Sequence, residues 1–334
     1  MARGPGDGER VSRAPARVGM NSYLQLFTIV LPVFWVVALG AALRRYGWVK
    51  EEAEESLFNY VIKVATPCLI FDSVATNAAL RDPANLLLAP LAGFGLTLLG
   101  IGVAYLVARG VGLQKGAGLR TFALTVGVAN YGYLPLPISD AMFGVEARGV
   151  LLVHNVGVEA AIWTGGILVV SGLSLRDGWR RLLNMPLFSL VFALTMNLTG
   201  LAPLVPAPLM TAVKWVGMTM IPLGLVMTGV SIQPHLGDPG KLFSPRVSFG
   251  ACLVRLLMLP VLFLAVAKYA PFTPELQRVI VLQAAMPTAV ISIIIARVYG
   301  GQALTAVQIV LVTTALSLFT IPAWIQAGMA WLGL

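Results

Sequence analysis

Charge is what this sequence of 334 residues has least of: Asp, Glu, Lys and Arg together make up 11% of it. A soluble domain carries roughly twice that share, and with 58% hydrophobic residues there is no material left over for one. Cysteine and histidine are scarce too, at two each. Cys68 and Cys252 fall inside apolar runs, which reads as packing and excludes a disulfide framework. The histidines offer no zinc spacing, and no cofactor is expected. Missing as well are paired aspartates, a His-Glu-x-x-His sequence or a Ser/His pair, the patterns an intramembrane enzyme needs. Nor is there a ring-forming filter sequence of the kind a channel uses.

What the chain does have is about ten apolar runs with short connections, each near the roughly 20 residues that cross a 30 Å hydrocarbon core. The expected spans are 23–43, 57–76, 86–108, 121–143, 149–171, 185–201, 209–231, 247–270, 279–298 and 303–331. The fold class is therefore an all-α polytopic membrane protein of ten transmembrane helices. Residues 1–19 are Arg-, Gly- and Pro-rich and read as a disordered tail. Met20 directly precedes the first apolar run and is an alternative start.

The net charge of +9 would suggest nucleic acid in a soluble chain. Here the partner is the bilayer and not nucleic acid, because the basic residues sit in short loops where they set orientation. Loops one, three, five, seven and nine carry Arg44, Arg45, Lys50, Arg109, Lys115, Arg120, Arg176, Arg180, Arg181, Lys241, Arg246 and Arg297. The even loops carry only Arg81, Arg148, Lys268 and Arg278. The positive-inside rule puts the odd loops in the cytoplasm and both termini outside a plasma membrane.

The second half of the chain echoes the first at a nearly constant offset. Pro32-Val33-Phe34 meets Pro186-Leu187-Phe188, Pro67-Cys68-Leu69 meets Pro222-Leu223-Gly224, and Phe143-Gly144 meets Tyr299-Gly300. Five spans per repeat make the halves, 20–175 and 176–334, inverted relative to one another. The fourth span reads Asn130-Tyr131-Gly132-Tyr133-Leu134-Pro135-Leu136-Pro137, and Pro135 and Pro137 forbid a straight helix. Its counterpart in the ninth span is Met286-Pro287-Thr288. Single prolines often mean only a kink. Two breaks at matching depth in inverted halves point instead to a transporter's midplane site.

Helix ends at such breaks offer N–H groups and positive dipole ends to an anion. Asn130, Thr288 and Ser292 add side-chain donors and acceptors. In the fifth span Asn155, Glu159 and Trp163 recur every four residues and share a face. Glu159 near mid-membrane is either a proton-coupling acid or a neutral helix glue bonded to Asn155 or His154. Asp72 belongs either to a coupling or support site or to an outer vestibule. Lys63, Lys214 and Asp140 are close enough to helix ends to snorkel. Arg255, deep in the eighth span, is expected to pair with an acid or to attract anions.

These residues carry a resemblance. Leu31-Pro32, Leu43-Arg44-Arg45-Tyr46-Gly47-Trp48, Asn130-x-Gly132-Tyr133-Leu134-x-Leu136-Pro137 and Ala285-Met286-Pro287-Thr288-Ala289-Val290, with Ala296-Arg297-x-Tyr299-Gly300-Gly301 following, are its marks. From Tyr23 onward the chain resembles the auxin efflux carrier family, within the bile-acid/sodium-symporter-like fold. The resemblance implies crossed broken helices four and nine and elevator-like movement of a small organic anion, with Asn130 and the Pro287 region flanking it. Tyr131 departs from the small hydroxyl residue usual there, and Pro135 from the usual glycine. The expected function is a secondary transporter, an exporter or proton-linked carrier. Spans three to five and eight to ten would move against a scaffold of spans one, two, six and seven, and that scaffold is the surface open to a homodimer. A non-transporting sensor on the same fold is the alternative.

Overall fold

The computed structural model describes residues 23–114, 118–166, 182–236 and 244–334. The N-terminal tail, Lys115, Arg176, Arg180, Arg181, Lys241 and the boundary between the two halves lie outside them. Among the described residues every regular element is helical: α1 (Tyr23–Arg45), α2 (Glu51–Val74), α3 (Pro83–Gly110), α4 (Leu119–Gly127), α5 (Pro135–Ala161), α6 (Met185–Thr199), α7 (Ala207–His235), α8 (Pro245–Tyr269), α9 (Pro274–Ala285), α10 (Ile291–Val298) and α11 (Ala303–Leu332). Six of these, α1, α2, α3, α7, α8 and α11, are long and apolar enough to cross a membrane. Large apolar side chains such as Trp35, Phe188, Phe192, Trp215 and Phe319 stand exposed, as they do where the solvent is lipid.

Local chemistry sets the helix boundaries. Asp82 caps α3 by accepting from the Ala84 N–H at 2.8 Å, with Pro83 in the first turn. Asn184 and Thr273 do the same for α6 and α9, each ahead of a proline. Gly144 bends α5 sharply, with φ 77° and ψ −168°, a conformation L side chains avoid. The chain therefore turns between the expected fourth and fifth spans at a single residue. Arg148, four residues beyond, is not in a loop as the sequence suggests but buried in α5.

The helices pack in two groups. α1 runs against α7, and α2 against α6 and α7; α3 runs against α4 and α5, and α11 against α4, α8, α9 and α10. The α1–α7 and α3–α5 contacts are close because glycine faces backbone: a Cβ on Gly40 would meet the Val226 carbonyl at 2.0 Å, and one on Gly157 the Pro90 carbonyl at 1.8 Å. Small residues at such crossings let helices associate where no hydrophobic effect drives them together. Amides stitch the groups at one end. Asn197 donates to the Val74 and Asn77 carbonyls at 2.7 and 2.9 Å, and Asn77 to those of Val145 and Glu146 at 3.2 and 3.1 Å, beside the Gly144 bend.

Candidate functional site: two crossed breaks at the floor of a cavity

α4 closes at Gly127 and the chain turns extended at Val128 (φ −89°, ψ 113°). α9 closes at Ala285 and turns extended at Met286 (φ −72°, ψ 145°). Each break frees backbone groups that have no water to bind at membrane depth. The two breaks answer each other. The Asn130 N–H donates to the Pro287 carbonyl at 2.7 Å and the Ala289 N–H to the Val128 carbonyl at 3.0 Å, an antiparallel bridge centred on Ala129 and Thr288.

Side chains complete the pairing. The Tyr131 carbonyl accepts from Asn155 Nδ2 at 2.7 Å and Gln283 Nε2 at 3.4 Å. The hydroxyls of Thr288 and Thr313 lie 2.8 Å apart. Arg255, fully buried, donates from Nε to the Met286 carbonyl at 2.8 Å and from Nη2 to that of Gln283 at 2.9 Å. Its guanidinium also lies 5.6 Å from the Phe263 ring centroid. The acid partner or anion-attracting role expected for Arg255 is not what the fold provides. A cation at the carbonyl end of a half-helix is favoured by the dipole and satisfies acceptors the helix cannot.

A cavity of 740 Å³ opens onto this crossing. Asn130, Tyr131, Gly132, Tyr133 and Ala289–Ile291 line its deep end. Asn155, Glu159 and Trp163 of α5 line one wall, Phe58, Ile62, Thr66 and Ile70 of α2 another, and Glu51, Glu54, Glu55 and Arg297 the rim. Trp163 sits on a π-turn, Ile162–Gly166, that continues α5. Such bulges shift the side-chain register by a residue and recur at functional sites. The N–H groups ahead of Pro135 and of Ile291 have no partners within their helices by position. The Leu134, Thr288 and Ala289 N–H groups are taken, by Asn130 Oδ1, Thr313 Oγ1 and the Val128 carbonyl, while Gly132, Tyr133 and Val290 line the closed end.

The family described as "Membrane transport protein" matches residues 25–174 and 169–325. The chain belongs to this auxin efflux carrier family. An uncharacterized transporter of Methanothermobacter thermautotrophicus is 28% identical over 302 residues, covering 88% of this chain and 96% of that one. One of Methanocaldococcus jannaschii is 24% identical over 306 residues, covering 89% and 96%. Membership in a family of membrane transport proteins sets the chain among transporters rather than enzymes.

In this auxin efflux carrier family member, Asn130, Tyr131, Gly132, Asn155 and Glu159 reach the cavity. Pro135, Met286, Pro287, Thr288 and Ser292 are buried behind it and Pro137 is partly so; they shape the break from inside the protein. His154 is buried off the cavity, its Nδ1 3.5 Å from Asn155 Oδ1. Glu159 bonds neither Asn155 nor His154; its Oε2 accepts from Asn184 Nδ2 at 3.2 Å. Asp72 lies off the cavity and pairs with Arg148 at 3.3 Å. Arg148 also holds Asp140 at 2.8 Å, so Asp140 is ion-paired and does not snorkel. Lys63 and Lys214 are exposed, in keeping with snorkelling. Among the described residues no group of His, Cys, Asp and Glu is arranged to hold a metal.

Three contributors escaped the sequence reading. Asn184 before Met185-Pro186 reads only as a helix cap, which it also is, accepting from the Leu187 N–H at 3.0 Å. Gln283 stands in the ninth span just ahead of the motif, one turn before the break, and nothing in the sequence says which way its amide turns. Thr313 lies in a uniformly apolar helix, where a threonine ordinarily bonds its own preceding turn.

Proposed function

We propose that the chain is a secondary transporter of a small organic carboxylate, working by alternating access. The observation that carries this reading is the mutual pairing of the two breaks, Asn130 to Pro287 and Val128 to Ala289, at the deep end of a cavity. An antiparallel bridge between the breaks is what two inverted five-span repeats would produce at their crossing, and ten spans follow if α4 with the start of α5, the rest of α5, α6, and α9 with α10 each cross the membrane beside the six long helices. α3–α5 and α8–α11 then form the moving part, and α1, α2, α6 and α7 the scaffold. The cavity lies between the two groups, between α5 and α2. With loop one in the cytoplasm of a plasma-membrane protein, the rim at Glu51 faces inward, and the described state is the inward-open one.

The carboxylate binds at the amide ends of the breaks, with the Asn130 side chain as a further donor. Binding through amides and a neutral side chain holds an anion without a fixed countercharge, which favours release on the far side. The test is flux of a labelled monocarboxylate into proteoliposomes. Saturable uptake that falls at least about tenfold in Asn130→Ala, with the protein still folded, supports the reading. Linear, non-saturating flux would indicate a channel, and saturable binding without flux a sensor.

A further inference from the structure

The rim and wall of the cavity carry the wrong sign for a simple anion. Among its described lining residues the carboxylates of Glu51, Glu54, Glu55 and Glu159 face the single guanidinium of Arg297. Glu51 is partly answered by Arg44 at 3.4 Å, and Glu54 accepts a hydrogen bond from Ser231 Oγ at 3.0 Å. Glu159, further in, has among the described residues only the neutral amide of Asn184, on one of its two oxygens. A dicarboxylate entering this passage would meet like charge all the way to the floor, where little water screens it.

At the floor the unmet need is reversed. Asn130 is 5% exposed and lines the cavity, and its amide nitrogen has no hydrogen-bond partner among the described residues. Only its Oδ1 is engaged, by the Leu134 N–H at 3.5 Å. Lining the cavity, that donor is free to bind an acceptor supplied from it. On the lining of the same cavity stands an acceptor that has no cation among the described residues. Asn155 holds the carbonyl of Tyr131, the neighbour of Asn130, and Glu159 is one helical turn from Asn155 on the same face, about 6 Å along the axis. Trp163 lines the same cavity, and it and Tyr131 pack against one shared apolar cluster. Aromatic faces beside a carboxylate form the usual surroundings of an ammonium group.

Resting on the carrier reading above, we propose that the solute is a zwitterion, its carboxylate on Asn130 and the amide ends of the breaks and its ammonium on Glu159. One molecule then supplies both the acceptor that Asn130 lacks and the cation that Glu159 lacks. A neutral overall charge also lets it pass the acidic rim. Glu159 becomes the residue that selects amino-bearing acids over plain ones.

Three probes on one carbon skeleton test this in the purified full-length protein: phenylalanine, 3-phenylpropionate, which lacks the amine, and phenethylamine, which lacks the carboxylate. Binding is read by thermal stabilisation across a concentration series. The expected result is that phenylalanine binds at least about tenfold more tightly than either relative, and that Glu159→Gln removes its advantage over 3-phenylpropionate. Equal binding of phenylalanine and 3-phenylpropionate overturns the ammonium site but leaves the carboxylate carrier standing. Preference for phenethylamine overturns both. No stabilisation by any of the three overturns the zwitterion, and the flux assay then judges the carrier reading separately. The ranking on the unmodified protein decides even if the variant does not assemble.

Discussion

Arg255 Nε lies 2.8 Å from the carbonyl of Met286, so a cation from α8 holds the end of the half-helix that stops one residue earlier. The arrangement reverses the usual expectation for an arginine in a membrane span. Its partners are orphaned carbonyls and not an acid. Arg255→Met keeps the length of the side chain and removes every donor. It is expected to lower stability by about 1–3 kcal/mol for each buried acceptor left unsatisfied. Arg255→Lys should recover part of this, since an ammonium reaches one carbonyl but lacks the planar fork that reaches two. Thermal unfolding of the three proteins in the same detergent checks the order. A Met variant as stable as the parent would show that the break holds itself.

Arg148 joins two acids from different helices, Asp140 of its own α5 and Asp72 of α2, at 2.8 and 3.3 Å. All three side chains are largely buried. Arg148→Leu leaves two carboxylates without a countercharge and is expected to cost about 3–5 kcal/mol. Asp72→Asn leaves the shorter Arg148–Asp140 pair in place and should cost much less. Asp72→Asn combined with Arg148→Leu should be milder than Arg148→Leu alone, because one of the stranded charges is gone. Equal loss in the single and double variants would show that Asp72 and Arg148 are not coupled.

The places where sequence reasoning succeeded and failed have a common physical reason. Backbone chemistry is written locally: Pro135 and Pro137 cannot continue a helix that runs into them and stand instead in the first turn of α5, and Pro287 follows the end of α9, so both breaks were legible, and the Asn155–Glu159–Trp163 face followed from helical period. Partners are not local. Arg148 looked like a loop residue because the chain turns abruptly at Gly144, which moves it from a connection into a helix. Asp140 looked free to snorkel for the same reason. Arg255 seemed to need an acid, since the alternative partner, a carbonyl freed 31 residues later, exists only once α9 has ended. Thr288 and Ser292 were expected on the cavity, but half-helices have two sides, and the pattern of a short apolar stretch does not say which one faces inward.

Close approach at glycine offers a control pair within one helix. A Cβ at Gly93 would meet the His154 carbonyl at 2.2 Å, whereas one at Gly95 meets nothing within 4 Å. Gly93→Ala should therefore push α3 from α5 and cost about 1–3 kcal/mol, in line with overpacking elsewhere. Gly95→Ala should be neutral or slightly stabilising, since alanine is the better helix former. Because α5 carries Asn155 and Glu159, the first change should also weaken ligand binding while the second leaves it unaltered. Melting temperature and ligand stabilisation measured on both variants test the two statements together.

Thr313 holds the second break from the side opposite the cavity. Its hydroxyl lies 2.8 Å from that of Thr288 and 3.4 Å from the Thr288 N–H, and it also reaches its own helix at the Ile309 carbonyl, 2.8 Å away. Thr313→Val preserves the shape and removes the hydroxyl, leaving the Thr288 hydroxyl and N–H without that partner in a fully buried place. The expected loss is about 1–3 kcal/mol of stability. Thr288 shares its antiparallel bridge with Ala129, the residue next to Asn130. Slackening it should misplace the Asn130 amide and weaken solute binding, although Thr313 touches no solute. Thr313→Ser, which keeps the hydroxyl, should restore binding more fully than stability, because the lost methyl still leaves a small void. If Val and Ser variants bind alike, the hydroxyl pair does not position the crossing, and the two breaks are held by their backbone bridge alone.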